Sequence, residues 1–442
     1  MRVGLGLLGW GTVGSAVYRL LQEGREEIGR RLGASLEVVA VAVREPGKKR
    51  SLPIPEGLLR SSTDELLAQP EVDLIVEVMG GLEPARALVT RALRSRKPVV
   101  TANKALLAEH GLELFELCDR RKTEIAFEAA VGGAVPIVRT LRLSLAADRI
   151  DRLVAILNGT TNFILGAMEH SMSYVDALAE AQRLGYAEAD PTLDVEGHDA
   201  AQKLALLVGL AYGVPMRWSA IPTVGIKSLS AADLRFAAEL GYSVKLLARA
   251  ERPETEAGQP GRLVVRVEPQ LVPRSSILAS VSGADNAVLL DSRAAGPTVL
   301  VGRGAGGPAT ATAVVADIID VARRIVAGSA GIGPYLWASE SLATADEGDG
   351  VEAAYLRLTV KDRPGVLGRL TTILGQHEVS ISSLVQRGKH GDPVDVVILT
   401  HPTDRRSLRT ALDQTADEDW LLDKPRRLAI WEPPVPAGAG AA

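Results

Sequence analysis

Val3-Gly4-Leu5-Gly6-Leu7-Leu8-Gly9-Trp10-Gly11-Thr12-Val13-Gly14 is the stretch on which the fold turns. Residues 3–8 have the length and apolar character of a buried strand, and a helical pattern follows over 13–32. Between them Gly9, Gly11 and Gly14 keep the Gly-x-Gly-x-x-Gly spacing. Glycines there let a pyrophosphate approach backbone amides at the positive end of a helix dipole, with Thr12 and Val13 in the same turn. The motif alone is weak evidence, and the chain beyond it carries the argument. Apolar runs at 36–43, 72–79, 98–101 and 124–129 alternate with helical patterns entered at Thr63-Asp64 and near 84–95 and 105–121. Strands separated by helices of that length predict an α/β fold, a Rossmann-type doubly wound parallel sheet over residues 1–135.

The second strand ends at Val43 and is followed by Arg44, Lys48, Lys49 and Arg50. A site for NAD places an acid there to accept from the ribose 2′-hydroxyl, and a basic residue favours NADP; solvated loop charge is the plainer reading. A chain of 442 residues is too long for one core and predicts two to four domains. Its net charge of −4, with no long basic block, argues against nucleic acid or an anionic membrane as partner. The single cysteine, Cys118, lies in a helical pattern and reads as a buried structural thiol. The first residues superficially resemble a signal sequence, but their glycines suit a buried strand, and no apolar run reaches membrane-spanning length. The chain reads as soluble and cytoplasmic.

From about 136 to 299 the pattern shifts to longer elements: strands at 149–157 and near 263–267 and 287–290, and helices after Gly197 and after Ala231. This predicts an α+β domain. Within it Asp190-Pro191-Thr192-Leu193-Asp194-Val195-Glu196-Gly197-His198-Asp199-Ala200-Ala201-Gln202-Lys203 gathers acids and one lysine where an apolar helix begins. A helix starting near Gly197 puts Asp199 and Lys203 on one face, four residues apart. Leu204, Leu206, Leu207 and Leu210 continue the apolar pattern, so the lysine sits at the edge of a buried stripe where its pKa can fall. That suits a proton donor in carbonyl reduction; an exposed salt bridge is the alternative. The histidines show no metal-ligand spacing.

The glycine-rich turn 302–308 and the apolar helix at 311–327 are expected to pack back on the first domain, completing it with residues 300–330 and bringing Gly302 to the cofactor. A small, acidic linker is expected at 343–350. Beyond it, 354–360, 366–377, 379–386, 394–400, 404–414 and 427–431 read as β-α-β-β-α-β, a ferredoxin-like module over 351–432, with a disordered tail at 433–442. Asp362-Arg363-Pro364-Gly365-Val366-Leu367 forms the turn into its first helix, where free amides suit an α-carboxylate.

Together with Thr101-Ala102-Asn103-Lys104, Phe127-Glu128-Ala129-Ala130-Val131-Gly132-Gly133, Asn158-Gly159-Thr160-Thr161-Asn162-Phe163-Ile164-Leu165 and Gly185-Tyr186-Ala187-Glu188-Ala189-Asp190-Pro191, these runs resemble bacterial homoserine dehydrogenases carrying a C-terminal ACT domain, over residues 1–432. The resemblance implies reversible NAD(P)H-dependent reduction of L-aspartate 4-semialdehyde to L-homoserine, in threonine, methionine and isoleucine biosynthesis. By that pattern Lys203 supplies the proton, Asp199 holds the ammonium or stabilises the substrate, and Lys104 lies beside the nicotinamide and substrate oxygen. Glu188 is the substrate-binding glutamate, with Gly185 and Tyr186 lining the pocket. Asp194 and Glu196 serve the substrate or cap the helix start; Thr160, Thr161 and Asn162 bind substrate or simply form a turn.

The resemblance further implies a monovalent cation, Na⁺ or K⁺, on Glu128 and the carbonyls of Val131, Gly133 and Val135, although a glycine hinge with a buried glutamate fits equally. It implies L-threonine as a feedback inhibitor bound at 362–367, with Gln386 a weaker contact, where simple pairing of modules is the alternative. A homodimer, or a homotetramer doubled through the ACT module, is expected. The competing readings are a non-catalytic NADP or amino-acid sensor and a reductase of a different semialdehyde.

Overall fold

A computed structural model describes residues 1–253, 261–329, 342–344, 348–387 and 393–433. Part of the expected linker, 345–347, and all but the first residue of the expected tail lie outside the described residues. The chain divides into two compact units, one of Met1–Ile150, Asp199–Ile221 and Ala284–Ser341, the other of Asp151–His198, Pro222–Gly283 and Leu342–Ala442.

The first unit is built on five parallel strands, β1 (Arg2–Leu8), β2 (Ser35–Ala42), β3 (Leu74–Glu77), β4 (Val99–Thr101) and β5 (Ile125–Ala126), in the order β2-β1-β3-β4-β5. The order reverses at β1, which places the ligand crevice beyond the carboxyl ends of the strands there. Helices α1 (Thr12–Glu23), α2 (Arg25–Leu32), α3 (Thr63–Ala68), α4 (Ala85–Arg94) and α5 (Lys104–Arg121) join them. Val3, Leu5 and Leu7 of β1, Val17 and Leu21 of α1, and Val314, Ile318 and Val321 of the helix Gly307–Val326 form one apolar cluster. The helical pattern over 13–32 is two helices. Gly24 closes the first by donating to the Leu20 carbonyl (2.9 Å) and opens the second by accepting from the Ile28 amide (2.8 Å), so the glycine inside the pattern is the break. Cys118 is buried, and burial pushes its thiol up.

In the second unit Tyr242–Glu251 pairs antiparallel with Ile150–Ile156 on one side and Arg262–Pro273 on the other. The C-terminal module is ferredoxin-like: strands Ala354–Val360, Ile381–Arg387, Val394–Thr400 and Arg426–Ile430 carry helices Val366–Gln376 and Arg405–Ala416 over an apolar core that includes Leu356, Leu370, Ile398 and Leu408. Its last strand pairs in parallel with Arg262–Pro273, Ala429 opposite Gln270 and Ile430 opposite Leu271, so module and neighbouring sheet are continuous. The Arg357 guanidinium reinforces the junction through Asp233 at 2.7 Å, and Asp233 also completes the capping box of the helix Ala231–Glu239 with Ser230.

Ile318 is fully buried where the helix Gly307–Val326 meets β1 and α1. Ile318→Ala is expected to lower the stability of the first unit by about 2–4 kcal/mol, measured as an earlier denaturant transition in the intact chain. A loss below about 1 kcal/mol would mean that this helix is not part of that core.

Candidate active site

The crevice at the carboxyl end of β1 is a cleft of about 1030 Å³ lined by Gly9, Gly11, Thr12, Arg44, Met79 and Gly80 among others. Gly9 has φ +109°, and a Cβ there would meet the Val78 carbonyl at 2.7 Å; a Cβ on Gly14 would meet the Gly9 carbonyl at 2.4 Å. Both positions therefore need glycine for backbone to lie on backbone. A Cβ on Gly11 would meet nothing, and α1 begins beyond it with no capping side chain and no acid in its first turn. This open helix start fits a pyrophosphate. The Val13 side chain packs toward the core, which leaves its amide as the group it can offer.

Arg44 stands at the cleft with its side chain 92% exposed, 3.5 Å from Glu45. Arg50 turns inward and donates to the carbonyls of Lys48 (2.7 Å) and Pro46 (3.1 Å) in its own loop, and Trp10 Nε1 donates to the Leu52 carbonyl at 2.8 Å. Those bonds shape the loop, whose cations Arg44, Lys48 and Arg50 line the cleft together with Arg19 of α1. Gly302 lies on the strand Gly296–Arg303 against Val135, outside the cleft lining; Gly307, Pro308, Ala311 and Thr312 are the residues of that region that line it.

Lys104, Asp199 and Lys203 converge. Asn103 caps α5 by accepting from the Leu106 amide at 3.1 Å, so Lys104 is the first residue of that helix. Asp199 and Lys203 lie one turn apart on the helix His198–Tyr212, which starts immediately after Gly197. The Lys104 Nζ is 2.7 Å from Asp199 Oδ1, and the Lys203 Nζ is 2.8 Å from Asp199 Oδ2. Asp199 is 3% exposed. Burial alone raises its carboxyl, but the Lys203 and Lys104 ammoniums outweigh that and hold it well below the usual carboxylate range.

The remaining substrate candidates lie together in the second unit. Asn158 does not form an isolated turn with Gly159, Thr160 and Thr161: it caps the helix Gly159–Glu169, accepting from the Thr161 amide at 2.8 Å. The same side-chain-to-backbone bond serves a turn and a helix start, so the local sequence does not separate them. Asn158 also donates to Asp194 at 2.7 Å, and Thr160 donates to the Tyr186 carbonyl at 2.7 Å. Gly185, at φ +76°, turns the chain after the helix Tyr174–Arg183, and the Tyr186 ring lies 5.1 Å from that of Phe163. Glu188 is exposed, and its carboxylate makes no ion pair among the described residues. Glu196 pairs with Lys227 at 2.6 Å.

At the expected cation ligand set the Glu128 carboxylate is bonded to backbone. Buried, it accepts from the amides of Val138 (2.7 Å) and Arg139 (2.8 Å), and the Val135 carbonyl accepts from the Ile137 amide at 2.8 Å. Gly133, at φ +66°, packs directly on the Gly304 carbonyl. Among the described residues no three His, Cys, Asp or Glu side chains cluster as metal ligands. In the ACT-like module Gly365, at φ +92°, opens the helix Val366–Gln376; Arg363 pairs with Asp419 at 3.0 Å and Gln386 donates to Asp362 at 3.4 Å. No helix among the described residues is long and apolar enough to cross a membrane.

Residues 9–128 match the family model described as the NAD-binding domain of homoserine dehydrogenase, 136–319 the homoserine dehydrogenase model, and 354–418 the ACT domain model. The chain is 42% identical over 418 residues to homoserine dehydrogenase of Neisseria gonorrhoeae, spanning 93% of this chain and 94% of that one. A solved homoserine dehydrogenase of Thiobacillus denitrificans is 40% identical, covering 98% and 99% of the two chains with a TM-score of 0.89. A hyperthermophilic archaeal homoserine dehydrogenase in complex with NADPH is 27% identical over 73% of this chain and 98% of its own, with a TM-score of 0.59.

Asp317 supplies a pH test of the first unit. Burial and the neighbouring Glu128 charge push its carboxyl from 3.8 up to about 7. A raised folded-state pKa means that stability favouring the protonated acid is complete below about pH 4 and is lost as pH rises through about 7. Asp317→Asn should therefore flatten the decline in melting temperature between pH 5 and 8; parallel curves for variant and wild type would contradict the assignment.

Proposed function

From the premise that the chain belongs to the homoserine dehydrogenase family, we propose that Lys203, Asp199 and Lys104 carry out its oxidoreductase chemistry on L-aspartate 4-semialdehyde and L-homoserine. The observation that supports this most is a single buried carboxylate holding two ammonium groups, at 2.7 and 2.8 Å. When bound, the nicotinamide cofactor supplies the hydride that the aldehyde carbon accepts. Lys203 Nζ gives a proton to the aldehyde oxygen, which leaves the substrate as the alcohol and the lysine as a neutral amine. Asp199 keeps both ammoniums oriented, and Lys104 stabilises the negative charge that builds on the oxygen before the proton arrives. The exposed Glu188 carboxylate receives the ammonium of the substrate, with Gly185, Tyr186 and Asp194 shaping that region. The Glu128 carboxylate, which accepts from the amides of Val138 and Arg139, would with the carbonyls of Val131, Gly133 and Val135 hold a monovalent cation, and no step is routed through it.

The open start of α1 holds the pyrophosphate, and the exposed Arg44 with Lys48 favours NADP(H) by meeting a 2′-phosphate. In the C-terminal module the turn 362–367 offers helix N-terminal amides to the carboxylate of a small amino acid, L-threonine as end-product inhibitor. The protein works as a homodimer or homotetramer in the cytoplasm.

NADPH oxidation with L-aspartate 4-semialdehyde tests the assignment. Wild type should turn over and Lys203→Ala should lose about 10²–10⁴-fold in kcat; undiminished turnover in the variant would remove Lys203 as the acid. Arg44→Asp should weaken NADPH far more than NADH, and equal weakening would refute the 2′-phosphate contact. Saturating threonine should slow the wild type and raise its melting temperature; no change in either would refute the threonine site.

A further inference from the structure

Glu77 closes β3 at the carboxyl edge of the sheet, fully buried, and among the described residues no lysine, arginine or histidine pairs with it. A carboxylate taken out of water without a counter-cation is costly, and an apolar residue at the end of a buried strand serves stability better. Three neutral donors satisfy it instead. Oε1 accepts from the amides of Met79 (2.9 Å) and Gly80 (3.3 Å), and Oε2 accepts from the Thr101 hydroxyl at 2.6 Å.

Each side leads to the site. Met79 and Gly80 are wall residues of the cofactor cleft. On the other side the parallel ladder sets Glu77 opposite Thr101. The Thr101 oxygen in turn accepts from the Asn103 amide at 3.0 Å. Asn103 then caps α5 through Oδ1, while its Nδ2 donates to the Gly81 carbonyl at 2.7 Å, back in the cleft turn. The residue that follows is Lys104, whose ammonium rests on Asp199. The bonds form a closed circuit: carboxylate, hydroxyl, capping amide, and the turn 79–81.

We propose that Glu77 is a positioning residue for the reduction, shaping the cofactor wall with one oxygen and, through Thr101 and Asn103, fixing the start of α5 and so the Lys104 ammonium with the other. This deepens the reading of Lys104 given above and rests on it. The residue acts through others and touches no reacting atom. Its cost in burial is repaid in geometry, because a displaced ammonium stabilises a developing alkoxide poorly even when the fold is intact.

The two arms separate experimentally. Thr101→Val removes the hydroxyl bridge and leaves the Met79 and Gly80 contacts in place. It should lower kcat about tenfold or more while the dissociation constant of NADPH, read by nucleotide fluorescence, stays within about twofold. Thr101→Ser keeps the hydroxyl and should recover most of the loss. Glu77→Gln disturbs both arms and should weaken NADPH as well as kcat; because it carries a folding risk, the Thr101 pair decides the matter. Lys104→Ala is measured alongside. If Lys104→Ala loses kcat but Thr101→Val keeps it within about twofold, or if Thr101→Ser is as impaired as Thr101→Val, the relay is wrong. If Lys104→Ala itself turns over normally, the role of Lys104 falls, and the relay with it.

Discussion

Asp199 can stay ionised at 3% exposure only because two ammoniums are held against it. A carboxylate in the interior without partners costs several kcal/mol and neutralises instead. With Lys104 and Lys203 on its two oxygens the balance reverses, and the carboxyl sits well below its ordinary range. The arrangement demands that two elements nearly a hundred residues apart in sequence, the start of α5 and the helix His198–Tyr212, be fixed to within a hydrogen-bond length. Much of the first unit serves that demand. The cap at Asn103 ends the loop after β4 at a defined residue, and the second helix is buried along nearly its whole run. Two cations also exceed one anion, so the cluster keeps a net positive charge, which suits the role proposed for it.

The cofactor cleft follows from the same sheet by a different physical route. Parallel strands end together, helices begin just beyond them, and the first turns of those helices present unsatisfied amides. At α1 Gly11 leaves the approach to those amides open while Gly9 and Gly14 let backbone pack on backbone, whereas the end of β3 carries a turn organised by a buried acid. One part of the lining is therefore defined by a missing side chain and the adjoining turn by what is bonded. The loop 44–52 adds charge, with Arg50 spent on carbonyls of its own loop and Trp10 fastening the loop at Leu52.

Much of this was legible in the sequence because its determinants are local. The strand, glycine turn and helix at 3–32 are written in consecutive residues, and so is the four-residue spacing of Asp199 and Lys203. The break at Gly24 is also local, but one glycine in a helical pattern is compatible with either continuation or interruption, and capping at that point decided it. The helix start at Asn158 has the same ambiguity with a turn. What stayed hidden depends on partners distant in sequence. Family likeness implied a place for Lys104 beside the nicotinamide and substrate oxygen, but its pairing with Asp199 came only from the fold, since no spacing rule links the two. Glu77 reads as an acid at the end of an apolar strand, and only strand register brings Thr101 beside it. For Glu128 likewise, the two amides that its buried carboxylate accepts from are fixed by the fold and not by spacing.

The acidic segment before the C-terminal module suggests a tether, yet the bonding within the second unit argues for something stiffer. Backbone pairing of 429–430 with 270–271 makes the last strand of the module a member of the neighbouring sheet, and the Trp431 amide extends the contact to the Leu271 carbonyl at 2.9 Å. Arg357 of the module lies on Asp233, a fully buried acid whose carboxyl is held low by that guanidinium against the cost of burial. Removing either partner leaves a buried charge alone, which is more damaging than exchanging both for apolar groups. Asp233 is also half of the capping box at Ser230, and Ile226, a few residues upstream, bonds to the Val195 carbonyl just ahead of the helix that bears Asp199 and Lys203. Shared strands, a cap and a buried ion pair thus tie the module to the neighbouring sheet, and packed elements of this kind change between discrete arrangements more readily than they stretch.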